Sequence, residues 1–412
     1  MKQASLTDLR TQYVHPPLRW MLMLAMISAI GPMAIDMYLP SLPALQRHFH
    51  SDTAATQLTL SAFFIGLACG QIMYGPVSDR FGRKPPLLFG LGLFTLVSLA
   101  CVFAPSIEAL TLLRFAQALG GAGGMVIVRA IIRDRYPPQD MARVLSLLLL
   151  VMGVAPILAP LAGGWVFQWW GWQAIFIVLT AYGALCFAAV ACGLTETIVD
   201  RAPALRMSAI AIGYGRMLAH RRFLGYALAG GVAQGGMFAY ISASPFVFID
   251  FFGLSPTHYG WVFGTNALGL ISASQINTRV LRRLPAQQVL RRAIRSYAGF
   301  GLLLLLCAWR GWGGVWGVLI PLVCCISSLG FTFPNSTAAA MAPFGDRAGS
   351  ASALLGTLQF AIAACTGALV GHLLRNSAVP MAAVIAGCGC TSAALLAWVR
   401  PHESHKPVRG DS

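Results

Sequence analysis

The strongest constraint on the fold is a series of apolar blocks that recurs along the whole chain. Each block has about 18 to 25 residues, which is long enough for a helix to cross a ~30 Å hydrocarbon core. With 57% hydrophobic and only 10% charged residues among 412, no soluble class of protein fits. The sequence therefore predicts an all-helical, multi-pass membrane protein with twelve spans, at 18–40, 54–75, 85–104, 107–132, 142–166, 171–195, 222–248, 256–277, 293–310, 313–337, 349–371 and 377–399.

The positions of the basic residues predict how the chain crosses the membrane. Of the 29 Lys and Arg residues, only Arg47, Arg310 and Arg375 fall in predicted outer segments, and Arg114 and Arg129 fall within the fourth span. All the others lie in predicted inner segments or, as do Arg19, Arg143, Arg222 and Arg295, within the first three residues of a span at its inner end. By the positive-inside rule, both termini are expected in the cytoplasm. The net charge of +16 thus reflects membrane topology, and no nucleic-acid partner is expected.

The longest inner connection divides the twelve spans into two groups of six. The connection after the second span, "GPVSDRFGRKPP", and the one after the eighth, "NTRVLRRLPAQQVLRR", are both basic and indicate a degenerate repeat. Paired repeats of this kind usually enclose a substrate cavity at mid-membrane. The predicted division is a first half at 1–195, a linker at 196–221, a second half at 222–400 and a tail at 401–412.

The connection "GPVSDRFGRKP" combines glycines, an acid and several bases at the membrane surface. A simple basic anchor explains the bases but neither the acid nor the glycines, which favour tight turns. The stretch resembles the signature G-x-x-x-D-R-x-G-R-K of the major facilitator superfamily, with twelve helices in two halves. The resemblance implies a conformational gate in which Asp79 pairs with basic groups across the two halves. The gate residues would be Gly75, Asp79, Arg80, Gly82, Arg83 and Lys84.

The fourth span carries two arginines, and an intramembrane arginine is a functional candidate because burying its charge is costly. Arg114, Gln117 and Gly120 match the pattern R-x-x-Q-x-x-G of proton-driven antiporters of this superfamily. That resemblance implies that Arg114 influences protonation of a carboxylate. Arg129 lies near the inner end, where it can reach the cytoplasmic edge as an anchor or face the cavity.

The fifth span contains "GVAPILAPLAGG", in which small or kinking residues repeat at four-residue spacing and share one helix face. Such a face permits close approach of a helix of the other half. The stretch resembles the antiporter motif of the superfamily's drug exporters, which ends G-P-x-x-G-G, although Ala159 replaces its first glycine. The motif residues are Pro156, Pro160, Gly163 and Gly164.

Asp36 is a carboxylate in an otherwise apolar first span. It precedes Pro40 by four residues, so one interpretation places it in water at the outer interface. The phrase "IDMYLPSLP", however, resembles the first helix of the bicyclomycin and chloramphenicol resistance (Bcr/CflA) exporters, and this resemblance extends over nearly the whole chain. It implies that Asp36 binds a proton in one conformation and releases it in the other, which couples drug export to proton entry.

Further polar or aromatic residues at membrane depth are candidates for lining a substrate cavity, and each can equally be a contact between helices. They are Tyr38, Gln117, Gln234, Phe238, Tyr240, Asn266, Asn335 and Gln359. All ten cysteines fall in predicted spans, and no spacing indicates a metal site. No cofactor is expected, because the proton gradient would supply the energy.

The sequence as a whole favours a monomeric drug:proton antiporter whose partners are a small-molecule drug, protons and the lipid bilayer. One alternative keeps the fold but transports a metabolite such as a nucleoside or an amino acid. A membrane enzyme or sensor would need a clustered catalytic set or a soluble signalling domain, and the sequence has neither.

Overall fold

The computed structural model describes residues 18–135, 138–198, 207–374 and 376–399. Every regular element in these ranges is helical. The first half contains α1 (Leu18–Asp36), α2 (Leu42–His48), α3 (Thr53–Phe81), α4 (Lys84–Val102), α5 (Ile107–Arg135), α6 (Pro138–Trp170) and α7 (Trp172–Gly193). The linker contains α8 (Met207–Ala219). The second half contains α9 (Arg221–Pro245), α10 (Pro256–Val280), α11 (Ala286–Arg310), α12 (Gly314–Met341), α13 (Ala348–Leu373) and α14 (Val379–Trp398). A π-helical turn, Phe246–Phe251, continues α9.

Twelve of these helices coincide with the twelve predicted spans, so the all-helical membrane fold is confirmed. Within the described residues, nine helical stretches are long and apolar enough to cross a membrane by length and composition alone. The other three long helices, α6, α10 and α11, pack into the same bundle.

Local sequence signals explain where several helices begin and end. The Asp52 carboxylate accepts a hydrogen bond from the Ala55 N–H at 2.6 Å and so caps α3, and Ser255 caps α10 through the His258 N–H. Helix α11 ends at Gly311, which adopts a φ of +66°. Helix α1 ends at Asp36, and the chain then forms a short 3₁₀ turn at Leu39–Ser41 that contains Pro40.

Two pairs of helices join the first six membrane helices to the last six. Helix α3 packs against α13, and α6 packs against α10. All other extensive contacts between membrane helices lie within one group of six, such as α3 with α5 or α9 with α14. The main hydrophobic core extends through both groups. The two joining pairs therefore form the surface along which the two groups can move.

Four sequence predictions differ from the structure in their helix boundaries. Helix α3 continues to Phe81, so Gly75 lies inside a helix and the tight turn expected there is wrong. The linker contains helix α8, which was not predicted. Helix α11 begins at Ala286 rather than near 293, and α1 ends before the predicted 40. In each case charged residues or prolines lie near a helix end. The hydropathy of the sequence therefore does not show where the helix begins or ends. The predicted tail, 401–412, lies outside the described residues.

A group of exposed tryptophans marks one end of the bundle. These side chains lie at the predicted outer ends of α6, α10, α11 and α12, and each is more than half exposed. Tryptophan is enriched where a membrane meets water, because its ring is apolar and its N–H is polar. The predicted outer end therefore has the character of a membrane–water interface. The residues are Trp165, Trp169, Trp170, Trp261, Trp309, Trp312 and Trp316.

Candidate transport site

Asp36 lies inside the helical bundle and not in water. It is the last residue of α1, and only 5% of it is exposed. Among the described residues, no hydrogen bond or ion pair reaches its carboxyl group. A buried carboxyl without a partner is costly, which is a mark of a functional position in a membrane protein.

Two tyrosines near Asp36 come from the other group of six helices. The hydroxyls of Tyr240 on α9 and Tyr259 on α10 lie close enough to Asp36 to interact with its charge. Tyr259 is held by Ser244, whose hydroxyl lies 2.8 Å from its own. The Tyr240 hydroxyl makes no hydrogen bond to any described residue, although its ring stacks on Phe263. Asp36 is therefore placed at the junction between the two groups of helices.

Arg114 lies at the centre of a separate network within the first group of helices. Its side chain is completely buried, with NH1 donating to Gln117 Oε1 at 2.6 Å and NH2 to the Ala34 carbonyl at 3.1 Å. The guanidinium also lies between two rings, 4.4 Å from the centre of Tyr38 and 4.2 Å from that of Phe63. Arg114 thus fixes the end of α1 two residues before Asp36.

Two further hydrogen bonds extend this network to neighbouring helices. Gln117 donates from Nε2 to Ser98 Oγ at 2.7 Å, and the Tyr38 hydroxyl lies 2.8 Å from Thr59 Oγ1. These contacts tie α5 to α4 and the end of α1 to α3. Arg114 and Asp36 do not form an ion pair in the described part of the chain, so a direct influence of Arg114 on the carboxyl group stays a prediction.

The small residues of α6 bring two other helices into very close contact. A methyl group at Gly163 would overlap the backbone of Met37, the residue after Asp36. A methyl group at Gly164 would lie 2.8 Å from the Pro256 carbonyl oxygen on α10. Pro156 and Pro160 lie inside the helix, and Ala159 is buried. This face of α6 therefore contacts both α1 and the opposite group of helices.

The predicted gate is centred on Arg83, which is almost fully buried. Its guanidinium donates to Ser78 Oγ at 2.9 Å and to Asp134 Oδ2 at 2.7 Å, and it also pairs with Asp79. All of these partners belong to the first group of helices. The structure thus pairs Asp79 within its own half and not across the two halves as expected. Arg80 is exposed beside Phe81.

A residue that sequence reasoning missed, Glu196, contacts the predicted gate residues. Its carboxylate accepts hydrogen bonds from the backbone N–H groups of Arg83 at 2.8 Å and Lys84 at 3.2 Å, at the start of α4. Gly82 has a φ of +93°, and a side chain there would collide with this carboxylate. Lys84 Nζ donates to the Ala191 carbonyl at 2.9 Å. The role of Glu196 arises from tertiary contact, so no local pattern signals it.

We expect the contribution of Glu196 to stability to depend on pH. Burial alone would raise its pKa, but backbone N–H groups of Arg83, Ile198, Lys84 and Thr197 lower that pKa below the ordinary 4.5. A lowered pKa in the folded state stabilises the protein above about pH 4.5, and this stabilisation is lost as the pH falls through the folded-state pKa. Glu196→Gln is thus expected to lower the melting temperature at pH 7, on the order of 2 °C for this largely exposed group.

Thermal unfolding of both proteins in detergent at pH 7 and at pH 4 checks this expectation. The difference in melting temperature between wild type and Glu196→Gln should shrink at the lower pH. A difference that is the same at both pH values would show that the carboxylate charge contributes nothing.

The remaining cavity candidates fall into separate places. Phe238 packs between Phe64 of α3 and Phe360 of α13, with ring centres 4.6 Å and 5.9 Å away. Asn335 donates to Asn277 Oδ1 at 2.9 Å, a pairing that the sequence did not predict. Asn266 lies close to Tyr240 but leaves its Oδ1 without a partner among the described residues. Gln234 and Gln359 are partly exposed, and Arg129 is exposed.

The predicted outer end is closed by contacts between the two groups of helices. Arg47 of α2 forms an ion pair of 3.2 Å with Asp250 of the π-helical turn. Both residues line a surface cavity of about 650 Å³ together with Pro43, Gln46, His50 and Ser51. Both side chains of the pair are partly exposed, so the pair itself contributes little energy.

Two six-helix groups that enclose a buried carboxylate at their junction define a membrane transporter rather than an enzyme. The chain belongs to the Major Facilitator Superfamily, whose family model matches residues 24–368. One relative is the "Uncharacterized MFS-type transporter YdgK" of Bacillus subtilis. The two sequences are 36% identical over 367 residues, which cover 88% of this chain and 90% of the relative. This chain is also 32% identical to a bicyclomycin resistance protein homolog of Haemophilus influenzae, over 90% of this chain and 93% of the relative.

A solved structure confirms the fold. The crystal structure of a D-xylose–proton symporter matches with a TM-score of 0.71 at 12% identity, covering 93% of this chain and 98% of that one. At this identity the likeness concerns the fold alone. The family model and the relative named as a bicyclomycin resistance protein homolog confirm the resemblance to the superfamily and to its drug-resistance members that the motifs indicated.

Proposed function

We propose that this protein is a proton-coupled multidrug exporter, a drug:H⁺ antiporter that moves antibiotics such as bicyclomycin or chloramphenicol-type compounds out of the cell. The observation that carries the proposal is the placement of Asp36: it is buried, without a partner among the described residues, and it lies at the junction of the two groups of helices. The relative named as a bicyclomycin resistance protein homolog supports the choice of substrate class.

In the proposed cycle, Asp36 binds a proton when the bundle is open to the outside and releases it when the bundle is open to the cytoplasm. Movement of the two groups along the α3–α13 and α6–α10 contacts would change the surroundings of Asp36, because Tyr240 and Tyr259 belong to the second group. Arg114 holds the end of α1 in place during this movement. Drug and proton bind in alternation, which couples the two flows.

The driving force is sufficient for antibiotic resistance. Movement of one charge supplies about 2.3 kcal/mol per 100 mV of membrane potential, and about 1.4 kcal/mol corresponds to a factor of ten. Exchange of one proton for a neutral drug could therefore hold a gradient of roughly fifty-fold at 100 mV. No cofactor is needed in this scheme, and the protein would act as a monomer in the bacterial inner membrane with both termini in the cytoplasm.

A proton-linked porter for a metabolite is the second candidate, because the same fold occurs in a sugar symporter. Inverted membrane vesicles with a fluorescent pH reporter separate the two. An antiporter for drugs should discharge an imposed pH gradient on addition of bicyclomycin, chloramphenicol or florfenicol. Discharge by a nucleoside and by none of the antibiotics would favour the metabolite porter.

A further inference from the structure

An unusual set of buried polar side chains lies where α3 and α9 meet α13. Gln57 and Ser61 of α3 and Ser242 of α9 are at most 2% exposed. Both amide atoms of Gln57 and the hydroxyls of Ser61 and Ser242 have no hydrogen-bond partner among the described residues. Buried polar groups are nearly always hydrogen-bonded, so four such atoms in one place require a physical explanation.

The surface opposite these side chains is made of glycine. A Cβ atom at Gly367 of α13 would lie 3.1 Å from both the Ser61 and the Ser242 hydroxyl oxygens. One at Gly371 would lie 2.9 Å from Gln57 Oε1. We call Gln57, Ser61 and Ser242 the polar seam. It joins the first group of helices to the second, and glycine offers it no side-chain partner.

The rest of the α3–α13 contact differs from the polar seam. Next to it, Phe64 and Phe360 bring their rings to 6.4 Å and seal the contact with apolar surface. Further toward the predicted inner end, the Thr357 hydroxyl donates to the Ala68 carbonyl at 3.3 Å. Among the described residues, the fully buried side-chain atoms of this contact that lack a hydrogen-bond partner lie in its predicted outer part, although Gln71, nearer the inner end, also faces a glycine, Gly356. The outer part must separate if the bundle is to open to the outside.

We propose that the polar seam lines the outer pathway. When α3 separates from α13, the side chains of the seam bind water or a neutral hydroxyl or amide group of the cargo. Burying the seam without partners raises the free energy of the closed form, and hydration removes that penalty in the open form. The seam thereby sets how readily the protein opens at this end. This inference rests on the proposed function only in requiring transport by movement of the two halves, not on the cargo being a drug.

The first test measures whether the seam opens to water. The variants are Ser61→Cys and Ser242→Cys, which are nearly isosteric changes. A membrane-impermeant maleimide is applied from the outer side, and peptide-resolved mass spectrometry measures the labelling of each cysteine. Native Cys101, which is fully buried in α4, is an internal control. We expect both introduced cysteines to react at least tenfold faster than Cys101. Equal rates in folded protein would overturn the proposal.

A second variant separates the proposed role from ordinary packing. Ser61→Ala with Ser242→Ala removes two unpaired hydroxyls, so the melting temperature should rise while kcat falls on the order of tenfold with little change in KM. The matched control is Ser392→Ala, because Ser392 is equally buried but donates to the Ala229 carbonyl at 2.6 Å. Its melting temperature should fall. If the melting temperature of the double variant also falls, the seam hydroxyls only support packing and the proposed role is wrong.

These readouts keep the two proposals apart. If antibiotics fail to move protons but the seam cysteines still react, the seam stands and the substrate class is wrong. If antibiotics move protons and the seam cysteines stay unreactive, the drug antiporter stands and the outer pathway lies elsewhere. Florfenicol carries fluorine where thiamphenicol has one of its hydroxyls. A KM that changes in the double variant for thiamphenicol alone would show that the seam binds this hydroxyl of the cargo as well as water.

Discussion

Gly163→Ala is expected to cost about 1–3 kcal/mol of stability and most of the transport activity, although it adds a single methyl group. The new Cβ would overlap the backbone of Met37, which cannot move aside without shifting the end of α1. Asp36 is the preceding residue, so the strain would displace the carboxyl group from Tyr240 and Tyr259. Thermal unfolding and vesicle transport, measured on the same preparation, check both effects.

The matched control is Gly264→Ala, at a glycine of α10 that faces α6. A Cβ there would lie 3.7 Å from Ile157, which is ordinary van der Waals contact. We expect its stability and transport to stay close to those of the wild type. If the two substitutions behave alike, the close approach of α6 to α1 does not position Asp36.

Arg114→Lys should reduce transport by about ten- to a hundredfold, although the positive charge is retained. The guanidinium donates from two different nitrogens, to Gln117 and to the Ala34 carbonyl, and it stacks between two rings. A lysine ammonium cannot reproduce this planar arrangement. Each hydrogen bond that involves a charged group contributes about 1.5–3 kcal/mol, so loss of one is enough for the expected effect.

Arg129→Lys is the matched control, because Arg129 lies on the same helix and is exposed. It should transport within about twofold of the wild type if Arg129 anchors the helix at the membrane surface. If Arg129→Lys lowers transport as much as Arg114→Lys does, the planar shape of the guanidinium matters at both positions. Burial then does not explain why Arg114 is needed.

The twelve spans could be predicted because span length and hydropathy are properties of a contiguous segment. The basic connection around Arg83 and the small face of α6 are also local patterns, although the structure pairs Asp79 within its own half and not across the two halves as expected. The position of Asp36 inside the bundle could be inferred only by resemblance, since Pro40 nearby also fits a solvated end.

The partners of these residues could not be predicted, because they come from distant parts of the chain. Tyr259 of α10 lies close enough to Asp36 to interact with its charge, and Glu196 accepts a hydrogen bond from the Arg83 N–H although the two residues are more than a hundred positions apart. Gln57, Ser61 and Ser242 look like ordinary polar residues of apolar helices. The packing of α13, with glycines at 367 and 371, leaves them without a hydrogen-bond partner in the part of the chain that the structure describes.

The most direct test of the account compares wild type with Asp36→Asn in two modes of transport. In wild type, an antibiotic should discharge a pH gradient, and labelled drug should also exchange across the membrane without any gradient. In Asp36→Asn, which removes the titrating group but keeps its size, exchange should persist while discharge of the pH gradient disappears. Discharge that survives in Asp36→Asn would contradict the assignment of Asp36 as the proton carrier.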